Sequence, residues 1–192
     1  MSTYIPLGKN PASPEERKKL IGEKVCRDES LENDELARVQ SRTLDFLMFQ
    51  KGYCKIDLQE KVLFKIELPD ASFDALADIV ITLNGRRFIL VKCAVNSPAS
   101  WERYSVAFCR VADVYQIPYA VVTDGEDAKL LDAVRGRPIS EGLESIPSKD
   151  EAIELFGKTE FMPFPAQKAE REKRILFAFD TIKYSSLLVE PE

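Results

Sequence analysis

Residues 77–94 read ADIVITLNGRRFILVKCA, and the reading of this stretch decides the fold. Ile79, Val80, Ile81 and Leu83 lead into Asn84-Gly85, and Phe88, Ile89, Leu90 and Val91 lead out of it. β-Branched and aromatic runs on either side of Asn-Gly predict two strands joined by a tight turn. Both arms are apolar on both faces, which places the expected hairpin at the centre of a covered sheet. Asp78 and Lys92 stand out in this setting. A charge in such a run needs a partner, a metal or a route to water.

Turn length decides what Asp78 faces. With a two-residue turn Leu83 pairs with Arg86, and Asp78 lies across from Val91. With a three-residue loop Leu83 pairs with Arg87, and Asp78 lies across from Lys92 on the same face of the sheet. The sequence leaves both registers open.

Upstream, a helix is expected from Asn33 or Asp34 to Gln50 or Lys51. Leu36, Val39, Thr43, Phe46, Leu47 and Gln50 form its inward stripe, Arg38, Arg42 and Asp45 turn away, and Gly52 stops it. Two strand-like runs follow, around Ile56 and over residues 62–66, with Glu60 between them. Pro69-Asp70 reads as a loop. Farther back, residues 1–12 read as a flexible start, and Ser13-Pro14-Glu15-Glu16 is a capping box opening a short charged helix to about Val25.

Downstream of the hairpin, residues 96–100 are a polar link, and Ser100 is the expected cap of a helix from Trp101 to about Tyr115. Residues 118–125, PYAVVTDG, are a buried strand ending in a turn. Hairpin, helix and strand in that order imply a right-handed crossover. Residues 128–133 fit a strand or a short helix equally well. Residues 136–147 read as a loop-rich arm. Ser148-Lys149-Asp150-Glu151 is a second capping box, with a helix to about Phe156. Residues 161–165 form an extended joint. The last helix is expected over residues 166–182, with Ile175, Leu176, Phe179 and Ile182 inward and the mixed-charge KAEREKR solvated.

The whole chain of 192 residues is 45% apolar and 31% charged, an ordinary globular composition. The expected organisation is a flexible 1–12 followed by a single domain over 13–192, with a core at about 33–147 and a helical extension at 148–192. A net charge of −5 gives no overall footprint for non-specific DNA binding, although a local basic groove is compatible with an acidic total. No signal-like start and no long apolar run is present, so neither export nor a membrane span is expected. Cys26, Cys54, Cys93 and Cys109 form no C-x-x-C pair and read as free thiols in a reducing cytoplasm. The absence of histidine excludes Ser-His-Asp and Cys-His catalysis and His-ligated metal sites. A magnesium site built from carboxylates and Lys survives that filter.

Taken together, ELARVQSRTLDFLMFQKGY at 35–53, Asp78 at the head of its strand and PYAVVTDG at 118–125 resemble the N-terminal domain of type I restriction enzyme R subunits. That family lies within the PD-(D/E)XK superfamily. The resemblance covers about 33–147, with a weaker echo in EREKRILFAFDTIK at 170–183. It implies an α/β fold: a three-layer α/β/α restriction-endonuclease-like architecture with a mixed central sheet and extra terminal helices. It also implies an Asp on one strand and Glu-x-Lys on the next. Asp78 fills the first position, but Lys92-Cys93-Ala94 stands where Glu-x-Lys belongs. The family frame requires the register that sets Asp78 opposite Lys92. Glu35 matches a helix Glu that leans toward the site in many relatives, and Glu60 a Glu often seen just before the Asp-bearing strand, although a solvated surface is the simpler reading of each. The Gln-x-x-x-Tyr pair of the family falls on Ala107 and Val111.

Fold and chemistry therefore separate. A nuclease of this kind needs two carboxylates on Mg²⁺ and a Lys near the attacking water. One carboxylate beside an ammonium binds Mg²⁺ poorly. The expected function is a catalytically degenerate, nucleic-acid-related binding or assembly module without a cofactor. In the register that the family frame requires, Lys92 is expected to neutralise Asp78 in the place of the metal. One alternative is an active Mg²⁺ endonuclease with the second carboxylate supplied by Glu60 or Glu35 and Lys92 as the water-activating group. Another is a protein-interaction module without a nucleic-acid role, which the negative charge favours. DNA and a restriction-system or other protein are the partner classes left open; a membrane is not expected. No helicase motor follows in these residues, so a complete R subunit is not expected.

Overall fold

The computed structural model describes residues 33–95 and 98–185. The expected N-terminal segment, the helix from Ser13-Pro14, Cys26 and the side chain of Ile182 lie outside the described residues.

The hairpin forms as its sequence demands. β2 (Ser72–Leu83) and β3 (Arg86–Cys93) are antiparallel, and Asn84 and Gly85 both take left-handed conformations, with φ of 48° and 75°. A two-residue turn with positive φ at both positions has the twist that antiparallel strands need. Leu83 pairs with Arg86 and Thr82 with Arg87, as the shorter turn requires. A bulge then intervenes, and Ile81 pairs with Ile89, Val80 with Leu90 and Ile79 with Val91. Phe88 is the extra residue. Continuing that register sets Asp78 opposite Lys92, so the turn of one expected register and the charge pairing of the other coexist.

Around this centre runs a six-stranded mixed sheet in the order β1-β2-β3-β4-β5-β6. β1 is Leu58–Glu67, β4 Tyr119–Thr123, β5 Ala128–Asp132 and β6 Arg137–Glu141. Only β3 and β4 are parallel, and α2 (Pro98–Val111) connects them. A parallel pair cannot be joined by a hairpin and needs such a crossover.

Helices cover both faces. α1 (33–49) and α3 (Lys149–Gly157) pack on Ile79, Ile81, Phe88, Ile89, Val91 and Val121. α2 and α4 (Ala166–Ser185) pack on Ala75, Val80, Leu90, Ala120 and Val122. The result is the three-layer α/β/α architecture. α1 buries Thr43 and Leu47 and is terminated by Gly52, whose φ is 76°. α3 begins at the expected capping box: Ser148 Oγ accepts from the Glu151 backbone N–H, and Glu151 Oε2 accepts from the Ser148 N–H at 2.8 Å.

Several expectations need correction. Ile56 lies in a 3₁₀ turn, Lys55–Asp57, and is exposed, so residues 54–68 hold one strand and not two. Ser100 sits inside α2 and is not its cap, because Pro98 with its fixed φ already opens the helix; the helix also ends at Val111, four residues before Tyr115. Gln50 is exposed just past the end of α1 and does not join its buried stripe. The loop-rich arm contains β6, an edge strand of sequence RPISE. Its exposed residues and its proline give no alternating signal, and edge strands tolerate both. Residues 128–132 resolve as a strand.

Candidate functional site

The carboxyl end of β3 lies beside the middle of β2, and here the two charges meet. Asp78 and Lys92 are 2% and 3% exposed. Lys92 Nζ stands 2.5 Å from Asp78 Oδ2. The Cys93 backbone N–H donates to the same oxygen at 2.9 Å, and Gln40 Nε2 on α1 donates to Oδ1 at 2.9 Å. Both carboxylate oxygens are thus engaged from two directions. The ammonium also lies 4.9 Å from the centroid of the Trp101 ring on α2. A cation over an indole face gains electrostatic attraction that grows when water is excluded.

Burial makes this arrangement demanding. Removing two ions from water costs several kcal/mol each, and a close pair offsets that cost only when its remaining hydrogen-bonding capacity is used. Gln40 and the Cys93 amide supply that capacity on the carboxylate side. β1 deviates at the same level: Lys61 has φ of 50° and falls between the paired couples Glu60–Ile79 and Val62–Ala77.

The neighbouring thiol feels the site. Cys93 is buried and its thiol is pushed up to about 12, first by desolvation and then by the Asp78 charge. Its contact with Thr43 Oγ1, at 3.9 Å, works in the opposite sense. No disulfide links Cys54, Cys93 or Cys109, and of these three only Cys54 is exposed.

The other expected site residues do not converge here. Glu35 and Glu60 are exposed, and neither forms a hydrogen bond or ion pair with Asp78 or Lys92 among the described residues. Ala94 is buried, and its N–H donates to the Thr123 carbonyl. Ala107 is fully buried in the core under α2, and Val111 packs at the edge of that core. Among the described residues, no group of three or more Asp, Glu, Cys or His side chains is arranged to hold a metal ion. No helix among them is long and apolar enough to cross a membrane.

Gln40 and Trp101 are the partners that sequence reasoning missed. Gln40 had a signal: it lies on the helical stripe running through Leu36, Thr43 and Leu47, where an amide faces the protein. Trp101 had none, since its reach to Lys92 depends on how the crossover helix lies across the sheet.

No curated protein and no solved structure matches the chain significantly. The family model described as Type I restriction enzyme R protein N terminus (HSDR_N) matches residues 34–147. That span is more than half of the chain and contains the hairpin, the crossover and both members of the buried pair. By that match, this chain belongs to the family of type I restriction enzyme R protein N termini.

Proposed function

We propose that the chain is a catalytically silent member of this family, one that keeps the nuclease scaffold as a nucleic-acid-related binding or assembly module. The observation that carries the reading is the ion pair between Lys92 and Asp78. Mg²⁺ takes oxygen ligands in a near-octahedral shell and is repelled by a neighbouring ammonium. Asp78 offers a single carboxylate, with one oxygen held by Gln40 and the other by Lys92 and Cys93. This donor set does not fit the metal. The apolar Ala107 and Val111 support the same reading, since a working phosphate site needs polar groups there.

Incubation of the pure protein with plasmid DNA and Mg²⁺ or Mn²⁺ tests the proposal. The expected result is no cleavage above that of Asp78→Ala. Cleavage that disappears in Asp78→Ala would instead support the rewired nuclease, with Glu60 or Glu35 as second carboxylate. The second reading is a protein-interaction module without a nucleic-acid role, for which the net charge of −5 is the one supporting observation. A DNA titration at two salt concentrations separates the two, because phosphate contacts give a steep salt slope.

A further inference from the structure

A second charged cluster lies on the α2/α4 side and shares no residue with the buried pair. A groove of ≈ 490 Å³ runs between α2, the β5–β6 turn and α4. Five arginines line it: Arg103 and Arg110 from α2, Arg135 and Arg137 from the β5–β6 hairpin, and Arg171 from α4. In a chain of net charge −5 this is a pronounced segregation of positive charge.

Three of these guanidiniums are held in place from behind. Glu172, only 5% exposed, takes Arg103 Nη2 at 2.6 Å and Arg110 Nη1 at 3.2 Å. One carboxylate shared by two guanidiniums leaves an excess positive charge. Arg110 also donates to the carbonyls of Ala133 and Val134 at the hairpin turn. Gly136 makes room for it: a Cβ there would stand 2.7 Å from Arg110 Nη2, and its φ of 68° also suits glycine. Asp132 holds Arg135 at 2.8 Å. The one further acid in the lining, Glu102, is occupied by Lys129 at 2.8 Å.

Arg137 and Arg171 differ from the other three. Both are exposed, and neither has an acidic partner among the described residues. Among the described residues their charge contributes no ion pair to the fold. Arginine is well suited to oxyanions because its planar fork gives two parallel N–H donors and is weakly hydrated. Three guanidiniums held in place and two that lack an acidic partner among the described residues give the groove both fixed and available positive charge for phosphate groups.

The geometry points to this groove as the place where the chain binds the phosphodiester backbone of nucleic acid. The inference rests on the nucleic-acid reading above and gives that reading a location. It predicts contact with phosphates and not with bases, since no aromatic or amide side chain among the described residues lines the groove.

The test measures binding of the full chain to labelled duplex DNA by fluorescence anisotropy across a salt series. Arg137→Ala/Arg171→Ala is compared with Lys55→Ala/Lys65→Ala, which removes the same charge from elsewhere on the surface. The expected result is an affinity lower by at least about tenfold and a log–log salt slope flatter by about two in the arginine variant. The lysine variant should show neither large change, and urea midpoints should confirm that both variants are folded. Binding by the arginine variant with unchanged affinity and slope overturns the groove while leaving a nucleic-acid module that uses another surface. Failure of the wild type to bind DNA even at low salt overturns both readings. Stabilisation by inorganic phosphate without DNA binding assigns the groove to small oxyanions and overturns the backbone assignment.

Discussion

Asp78 and Glu172 are both buried carboxylates, and the protein compensates them in different ways. Among the described residues Asp78 has one cation, Lys92 at the end of β3, and the Gln40 and Cys93 donors complete its enclosure. Glu172 has two cations, Arg103 and Arg110, and the pair it organises borders an open groove. In the first cluster charge is cancelled and enclosed. In the second, charge is left over and turned toward solvent. The two clusters teach that one scaffold can hold a self-neutralised buried pair and, on another face, a groove rich in arginine.

The largest expected effect comes from unbalancing the closed cluster. Lys92→Met leaves Asp78 buried without a counter-ion and should cost about 3–5 kcal/mol in urea unfolding. Adding Asp78→Asn to it should recover much of that loss, since a neutral amide tolerates burial better than an unpaired charge. A Lys92→Met protein of wild-type stability would break the contrast between the two clusters. Glu172→Gln should cost about 2 kcal/mol, because Arg103 and Arg110 keep partial access to water when their carboxylate is removed.

Two glycines sharpen the comparison on a smaller scale. Gly136→Ala and Gly85→Ala both place a Cβ at positive φ, a strain of about 1–2 kcal/mol each. Gly85 opens onto free space, whereas Gly136 abuts the Arg110 guanidinium. Gly136→Ala should therefore be the more destabilising of the two and should also weaken DNA binding, which Gly85→Ala should leave intact.

The smallest effect concerns thiol chemistry. Cys54 should alkylate readily in the native protein, while Cys93 stays unreactive. With its thiol raised to about 12, Cys93 remains protonated throughout the neutral range, and thiolate would accumulate only as pH climbs toward that value. Asp78→Asn should ease the shift only slightly, because burial is the larger cause. Rapid modification of native Cys93 at neutral pH would contradict an enclosed site.

Much of this fold was legible because burial writes itself into sequence. β2, β3 and β4 carry apolar residues on both faces, and each contributes to the helix-covered cores on both sides of the sheet. Ser148 and Glu151 marked the start of α3 because a cap is a local interaction between residues three apart. β6 was illegible for the complementary reason: Arg137–Glu141 is an exposed edge, and only its neighbour β5 makes it a strand. Ile56 misled because an apolar residue in a turn looks like a strand residue until its exposure is known. In the site, the Asp78–Lys92 encounter could be posed as one of two registers but not decided, since a bulge belongs to neither. Gln40 and the arginine groove depend on contacts between distant segments. The five arginines are scattered over three elements and form no motif along the chain.

Phe88 has a consequence that extends beyond its own packing. It is the one residue by which the return arm of the hairpin outruns the outgoing arm. The bulge turns it into the same core as its neighbour Ile89, where its ring meets Tyr119, Phe156 and Phe161. It works as a phase shifter. On the turn side of it the two arms keep step from Asn84-Gly85; beyond it they keep step from the salt bridge. Residue count in that arm, more than the identity of either ionised side chain, determines whether the acid and the amine become neighbours.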